Sequence, residues 1–331
     1  MSDRGLPEFV CDLKRLFAFR SVLDRLDPAG PPEAVPLGFS AGAEFGRVGI
    51  LSGSFNPPTA AHVELAARAA SSFRLDLVFL ALARVTVDKE EAGGLCPEDR
   101  LLLLSEIAAR LDRVAVAAVN RGLYFEQAEA FRGLMGRRAK LFVVAGMDKV
   151  PQIFDGRYYE NRDGALLKLF AEAQLVAAGR GPWEEADLDR LLALPENAPY
   201  RGRVYFMAMG ERWKELASSK VREEAAAGRF QPGDVPAEVR KFLEATGCYR
   251  ASSGREGEGV DRYAIRAALL ALLYREKPAA GNEDLAGLIE AVARGGSAGE
   301  ELRALLRSSD SIGSEIALER LSRLRKAARA K

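Results

Sequence analysis

From residue 47 onward the chain alternates two hydrophobic periods. Short, nearly continuous apolar runs, "RVGILSG", "LDLVFLAL", "VAVAAV", "KLFVVAG", "AQLVAAG" and "RVYFMAM", predict six strands buried on both faces. Between them, residues 60–72, 98–111, 124–136, 163–172 and 184–194 carry the spacing of amphipathic helices. Strand–helix alternation of this kind predicts an α/β fold, a Rossmann-like doubly wound parallel sheet whose ligands lie beyond the carboxyl ends of the strands.

The flanks read differently. "LPEFVCDLKRLFAFRSVLDRL" is one amphipathic helix, and "DPAGPPEAVPLG" ends it, so residues 1–46 are expected to form an N-terminal helical arm. Residues 47–250 hold the alternating domain, and "ASSGREGEGVD", 251–261, reads as a linker. Residues 262–331 carry helical periods only, a C-terminal helical appendage whose basic end "RLRKAARAK" reads as a solvated helix face.

Composition narrows the function. Hydrophobic residues make up 48% of the 331, and 48 Lys and Arg nearly cancel 47 Asp and Glu. A net charge of +1 gives no electrostatic case for a nucleic-acid or membrane partner. Cys11, Cys96 and Cys248 lie far apart, which suits reduced thiols better than a zinc site. No apolar run approaches the roughly 20 residues that span a bilayer, and Asp3, Glu8 and Asp12 do not suit a signal peptide, so a cytoplasmic protein is expected.

Four segments carry candidate chemistry. "GSFNPPTAAH" follows the first predicted strand: Gly53 permits close approach, Pro57 and Pro58 stiffen the chain, and Thr59 can cap a helix whose first turn holds His62. The free amides and positive end of that helix favour an anion, although a capped helix with a satisfied histidine reads equally well. In "ASSKVREEAAAGR", Ser218 or Ser219 can cap a helix flanked by Lys220 and Arg222, a cradle for a polyphosphate or an ordinary cap. Gly146 and Asp148 in "LFVVAGMDKV" end a strand where a carboxylate can hold ribose hydroxyls or cap a helix. The loop "ARVTVDKEEAGG" offers Arg84 and Lys89 as phosphate cations or as solvated side chains.

In their order along the chain these segments resemble the nucleotidyltransferase superfamily, and most closely the nicotinate or nicotinamide mononucleotide adenylyltransferases. "GSFNPPTAAH" is similar to that family's G-S-F-x-P-x-[HT]-x-x-H, "SSKVRE" stands where the family has I-S-S-T-x-I-R, and "FQPGDVPAEVRKFLEATGCYR" resembles its closing segment. The resemblance implies transfer of the adenylyl group of ATP, with Mg2+, to a pyridine mononucleotide and release of pyrophosphate. It implies His62 and Thr59 at the phosphates, Lys89 and Arg222 as cationic clamps, and backbone groups of Gly53, Ser54 and Phe55 lining the crevice. Gly146 and Asp148 are implied at the ribose, and Ser218, Ser219 and Lys220 at the triphosphate. Asn120 and Tyr124, in "VNRGLYFEQA", are the candidates for the acceptor base.

The chain departs from the pattern in two places: "TAAH" replaces the commoner H-x-G-H, and Lys220 replaces a threonine. Two other readings stand beside the first. One is the same chemistry on another acceptor, as in cytidylyltransferases or pantetheine-phosphate adenylyltransferases; the other is a nucleotide-binding regulatory protein without turnover. The sequence leaves room for a homo-oligomer.

Overall fold

A computed structural model describes residues 6–38, 45–85, 94–229, 231, 233–250, 261–276 and 285–294, with 300 and 304. They fall into two compact units. The first, Arg20–Arg222 with Gln231–Val239, holds a single seven-stranded sheet. Its strands are β1 (Ala34–Leu37), β2 (Arg47–Gly53), β3 (Leu77–Ala83), β4 (Val114–Val119), β5 (Lys140–Gly146), β6 (Ala173–Ala178) and β7 (Val204–Met207). The six runs read from the sequence are β2 to β7. The helices are α1 (Leu13–Arg25), α2 (Ala60–Ser72), α3 (Pro97–Ala108), α4 (Tyr124–Met135), α5 (Val150–Phe154), α6 (Arg162–Glu172) and α7 (Glu185–Ala193). They continue with α8 (Glu211–Lys214), α9 (Ser218–Ala226), α10 (Ala237–Thr246), α11 (Arg262–Glu276) and α12 (Leu285–Arg294).

The strand order is β1-β4-β3-β2-β5-β6-β7, parallel from β4 to β7. Successive strand residues point to opposite faces, yet Leu77, Val78, Phe79, Leu80, Ala81 and Leu82 of β3 are all buried, so both faces of the sheet are covered. The chain runs outward from β2 through β3 to β4, then returns to the other side of β2 with β5 and moves outward again to β7. The order therefore reverses between β2 and β5, and a crevice opens where their carboxyl ends diverge. Register places Leu51 beside Val144 and Gly146 beside Ala178, which brings the three strand ends to one rim.

The N-terminal arm is not wholly a helical appendage. Residues 34–37 pair antiparallel with β4, Ala34 with Val119 through Leu37 with Val116, and complete one edge of the sheet. Pro36 is tolerated there because an edge strand has one side without ladder partners. The arm is secured by Asn120, 1% exposed, whose Oδ1 accepts from Glu33 N–H at 2.8 Å. Its Nδ2 donates to the carbonyls of Asp27 and Pro31 at 2.7 and 2.8 Å. This corrects the expectation that Asn120 contacts an acceptor: its amide is engaged by the backbone of the arm.

The second unit, Met1–Phe19, Glu223–Phe230 and Arg240–Lys331, is helical in its described part. Its core contains a fully buried Arg266, whose Nε donates to the Val10 carbonyl at 2.9 Å and whose guanidinium lies 5.3 Å from the centre of the Phe242 ring. Residues 251–260 of the expected linker and the basic end of the chain lie outside the described residues. Among the described residues no helix is long and apolar enough to cross a membrane.

Replacing Asn120 with alanine removes the partner of one backbone donor and two carbonyls. N120A is expected to cost about 2–3 kcal/mol in urea unfolding. Steady-state kinetics at a temperature where the variant stays folded should show an unchanged acceptor KM; a large rise would restore Asn120 to the binding site.

Candidate active site

A cavity of about 1020 Å³ occupies the crevice at the carboxyl ends of the strands. Gly53, Ser54, His62, Tyr124, Gly146 and Asp148 line it, together with Ser218, Ser219 and Arg222, so most of the residues proposed from sequence converge on one space. Six Arg and Lys side chains and three carboxylates face it, a surplus of positive charge suited to a polyphosphate.

The first motif is organised around His62. Thr59 is the N-cap of α2 and forms a reciprocal capping box with His62, the third helical residue. Thr59 N–H donates to His62 Nδ1 at 2.9 Å, and Thr59 Oγ1 lies 2.8 Å from the same nitrogen. A histidine here takes the place that Glu or Gln usually fills in such a box. Because Nδ1 accepts a hydrogen bond, the neutral ring carries its proton on Nε2. Thr59 is completely buried and does not line the cavity, so it orients the histidine and is not placed to touch a phosphate.

Phe55 also departs from expectation. It is 1% exposed, has a backbone φ of 45°, and packs against His62 with ring centres 5.0 Å apart. A Cβ on Gly53 would meet this ring at 3.3 Å, so the glycine makes room for Phe55 as well as opening the crevice. The left-handed conformation of a phenylalanine costs roughly 1–2 kcal/mol, which the surrounding packing must offset. Phe55 is thus a wedge behind the histidine and is absent from the cavity wall.

The third motif meets the first directly. Ser218 is the first residue of α9, and its hydroxyl donates to the Pro57 carbonyl at 2.8 Å. One turn later, Arg222 Nη1 donates to the Asn56 carbonyl at 2.7 Å. A neutral carbonyl partner leaves the pair with a net positive charge, which a carboxylate partner would cancel. Lys220 lies on the exposed side of α9 and away from the cavity, so its proposed triphosphate contact is not supported by its position. Lys89 lies outside the described residues. Arg84 lines the cavity, but its guanidinium donates to the Leu23 and Leu26 carbonyls at the end of α1, a use that favours packing of the arm.

At the end of β5 a Cβ on Gly146 would lie 2.5 Å from Asp148 Oδ1 and 3.4 Å from Arg180 Cδ. The glycine therefore lets the Asp148 carboxylate fold back over the strand end, with Arg180 Nε 3.9 Å away. Arg180, Lys149 and Trp213 line the cavity and were missed from sequence. Lys149 directly follows the Gly146 and Asp148 motif and Arg180 follows the end of β6, so applying the strand-end rule to β6 as well as β5 would have found Arg180; Trp213 lies on α8, beyond the end of β7.

A smaller cavity of about 130 Å³ adjoins the first, sharing Ser54, Tyr124 and Lys149 and adding Gln152, Tyr158 and Tyr159. Burial pushes the Tyr124 phenol well above its ordinary value, with the nearby Asp148 carboxylate acting in the same direction. Burial likewise pushes Tyr159 up to about 12; its hydroxyl donates to the Ile153 carbonyl at 2.8 Å.

Comparison with known proteins finds similar chains. The probable nicotinate-nucleotide adenylyltransferase of Thermoanaerobacter sp. (strain X514) is 24% identical over 213 residues, covering 62% of this chain and 94% of the relative. That of Citrifermentans bemidjiense is 28% identical over 229 residues, covering 61% and 98%. A solved Plasmodium falciparum nicotinic acid mononucleotide adenylyltransferase complexed with NaAD covers 60% of this chain and 95% of its own, at 15% identity and a TM-score of 0.44. A family model described as cytidylyltransferase-like matches residues 50–224, more than half of the chain, from within β2 to within α9. With that match laid over the crevice, the chain belongs to the cytidylyltransferase-like family and is an enzyme of the nucleotidyltransferase type.

Proposed function

We propose that the protein joins ATP to nicotinate or nicotinamide mononucleotide and releases pyrophosphate. The observation that carries this reading is the convergence of the α2 and α9 N-terminal segments on one cavity, bound to each other by the Ser218 and Arg222 hydrogen bonds. Names of the relatives support the choice of acceptor.

The reaction is an in-line displacement. A phosphate oxygen of the mononucleotide attacks the α-phosphorus of ATP; the bond from that phosphorus to the bridging oxygen of the β-phosphate breaks, and pyrophosphate leaves with its electron pair. ATP enters as its magnesium complex. The ion is assigned to the substrate.

The chain supplies positioning and charge. His62, held by Thr59, offers its Nε2 proton to phosphate oxygens, and the α2 N-terminus adds the helix dipole and backbone amides. Arg222 supports the charge that develops on the leaving group, with the serines of α9 beside it. Asp148, at the end of β5, accepts from ribose hydroxyls. Holding two substrates in line contributes about 7–11 kcal/mol of the barrier reduction in well-oriented reactions.

The pyridine ring of the acceptor is assigned to the smaller cavity. Its volume of about 130 Å³ is close to the roughly 150 Å³ of an engineered cavity that takes benzene. Tyr124, which lines both spaces, stays in the acceptor-binding set, now with Lys149 and Tyr159 in place of Asn120.

Purified protein given ATP, Mg2+ and either mononucleotide is expected to release pyrophosphate and form a dinucleotide. A product only with CTP, or only with a different phosphorylated acceptor, would move it to another member of the superfamily. H62A should lower kcat about a thousandfold, and T59V about tenfold with little change in ATP KM, because threonine positions the ring without touching substrate. Equal loss in KM and none in kcat for T59V would refute that division of roles.

A pH dependence follows from the tyrosines. Tyr124 and Tyr159 keep their protons in the folded protein to higher pH than in the unfolded chain, where they ionise near pH 10. Their contribution to stability is fully present below about pH 10 and is lost as pH rises toward the folded-state values. Urea midpoints measured from pH 8 to 11 should therefore fall on the alkaline side, and Y124F should make that fall shallower. An identical alkaline slope in Y124F would contradict the buried position of the phenol.

A further inference from the structure

The stretch between β7 and α9 belongs to none of the motifs, yet it delivers an indole to the cavity. Trp213, half-buried on the single turn α8, lines the cavity together with Arg180 and Gly179 after β6 and Met209 after β7. Both of its chain neighbours are anchored. Lys214, 7% exposed, pairs through Nζ with Glu184 and Glu211, and its carbonyl accepts from Gly181 N–H at 3.1 Å. Hydrogen bonds from Glu184 and then Glu211 hold the ammonium above its ordinary pKa, so the anchor remains charged at neutral pH. On the other side, Arg212 Nη2 donates to the Gly233 carbonyl at 2.9 Å, and its guanidinium lies 4.6 Å from the Trp213 ring centre.

An indole fixed in this way is oriented before any ligand arrives. Its ring is a flat apolar surface in a cavity otherwise rich in charge, next to the strand end where Asp148 is assigned to the ribose. A base attached to that ribose reaches the β6 and β7 side, whereas the phosphates extend toward α2 and α9. Stacking covers the indole and the base together, and a purine covers more of it than a pyrimidine does.

We propose that Trp213 is the platform for the nucleobase of the nucleoside triphosphate and that it selects a purine over a pyrimidine. This assignment rests on the nucleotidyl-transfer reading of the cavity. It makes a residue outside the recognised motifs responsible for the choice of base, in a family whose description names a pyrimidine nucleotide.

The protein has two tryptophans, so W183F leaves Trp213 as the only indole reporter. Emission of W183F is expected to be quenched saturably by ATP and by AMP, and to be unmoved by inorganic triphosphate. In calorimetric titrations W213A should bind ATP about tenfold more weakly or worse, with CTP affected much less, so that the ratio of ATP to CTP affinity collapses. W213F should retain most of that ratio, and its unchanged circular dichroism would separate loss of stacking from loss of fold. Emission of W183F that ignores ATP while calorimetry records ATP binding would overturn the Trp213 assignment and leave adenylyl transfer standing. An unchanged ATP to CTP ratio in folded W213A would overturn it equally. Failure of the unaltered protein to bind ATP at all would remove the proposed function and this inference with it.

Discussion

Two hydrogen bonds hold the active crevice together: Ser218 Oγ to the Pro57 carbonyl and Arg222 to the Asn56 carbonyl, across sequence separations of 161 and 166 residues. The sheet alone brings β2 and the later strands to one rim. The two bonds draw the segments before α2 and at the start of α9 together across it, with a helix N-terminus on each side. Because the acceptors are backbone carbonyls of the loop that precedes His62, a shift in α9 is transmitted to the histidine without passing through any substrate.

The loop before α2 is built with unusual rigidity. Phe55 adopts a conformation that L-residues disfavour, its ring fills the space that Gly53 leaves open, and the same ring backs His62. Thr59 then fixes the tautomer from the other side. The conformational cost at Phe55 is of the same order as the gain from burying its ring, about 1.5–3 kcal/mol for a side chain fully removed from water, so burial offsets it. The result is an imidazole with little rotational freedom, the condition in which preorganised electrostatic stabilisation is most effective.

Much of this was legible in the sequence. The six parallel strands emerged from runs such as "LDLVFLAL", since a strand buried on both faces has no reason to alternate. His62, Gly146, Asp148, Ser218, Ser219 and Arg222 were found by motif, and the motif marks the cavity because strand ends and helix starts are where the fold exposes backbone amides. What escaped was whatever depended on direction. Thr59 and Phe55 sit inside the motif, but nothing in their spacing says that one faces the histidine and the other the core. Asn120 follows a strand as Asp148 does; its amide instead meets an arm that folds back from nearly ninety residues earlier. β1 was hidden because three prolines and a glycine before it mark a helix end, and pairing along one edge needs only four residues.

The strand β1 has a further consequence for how the protein can be handled. It covers β4, whose sequence "VAVAAV" is uncharged, free of proline and rich in β-branched valine. Such a strand with open N–H and C=O groups is a template for intermolecular pairing. A fragment trimmed to the span of the family match would keep the residues of both crevice hydrogen bonds and yet uncover this row of groups. The arm thus covers the sheet edge, and a fragment without it would expose β4 to pairing with other chains.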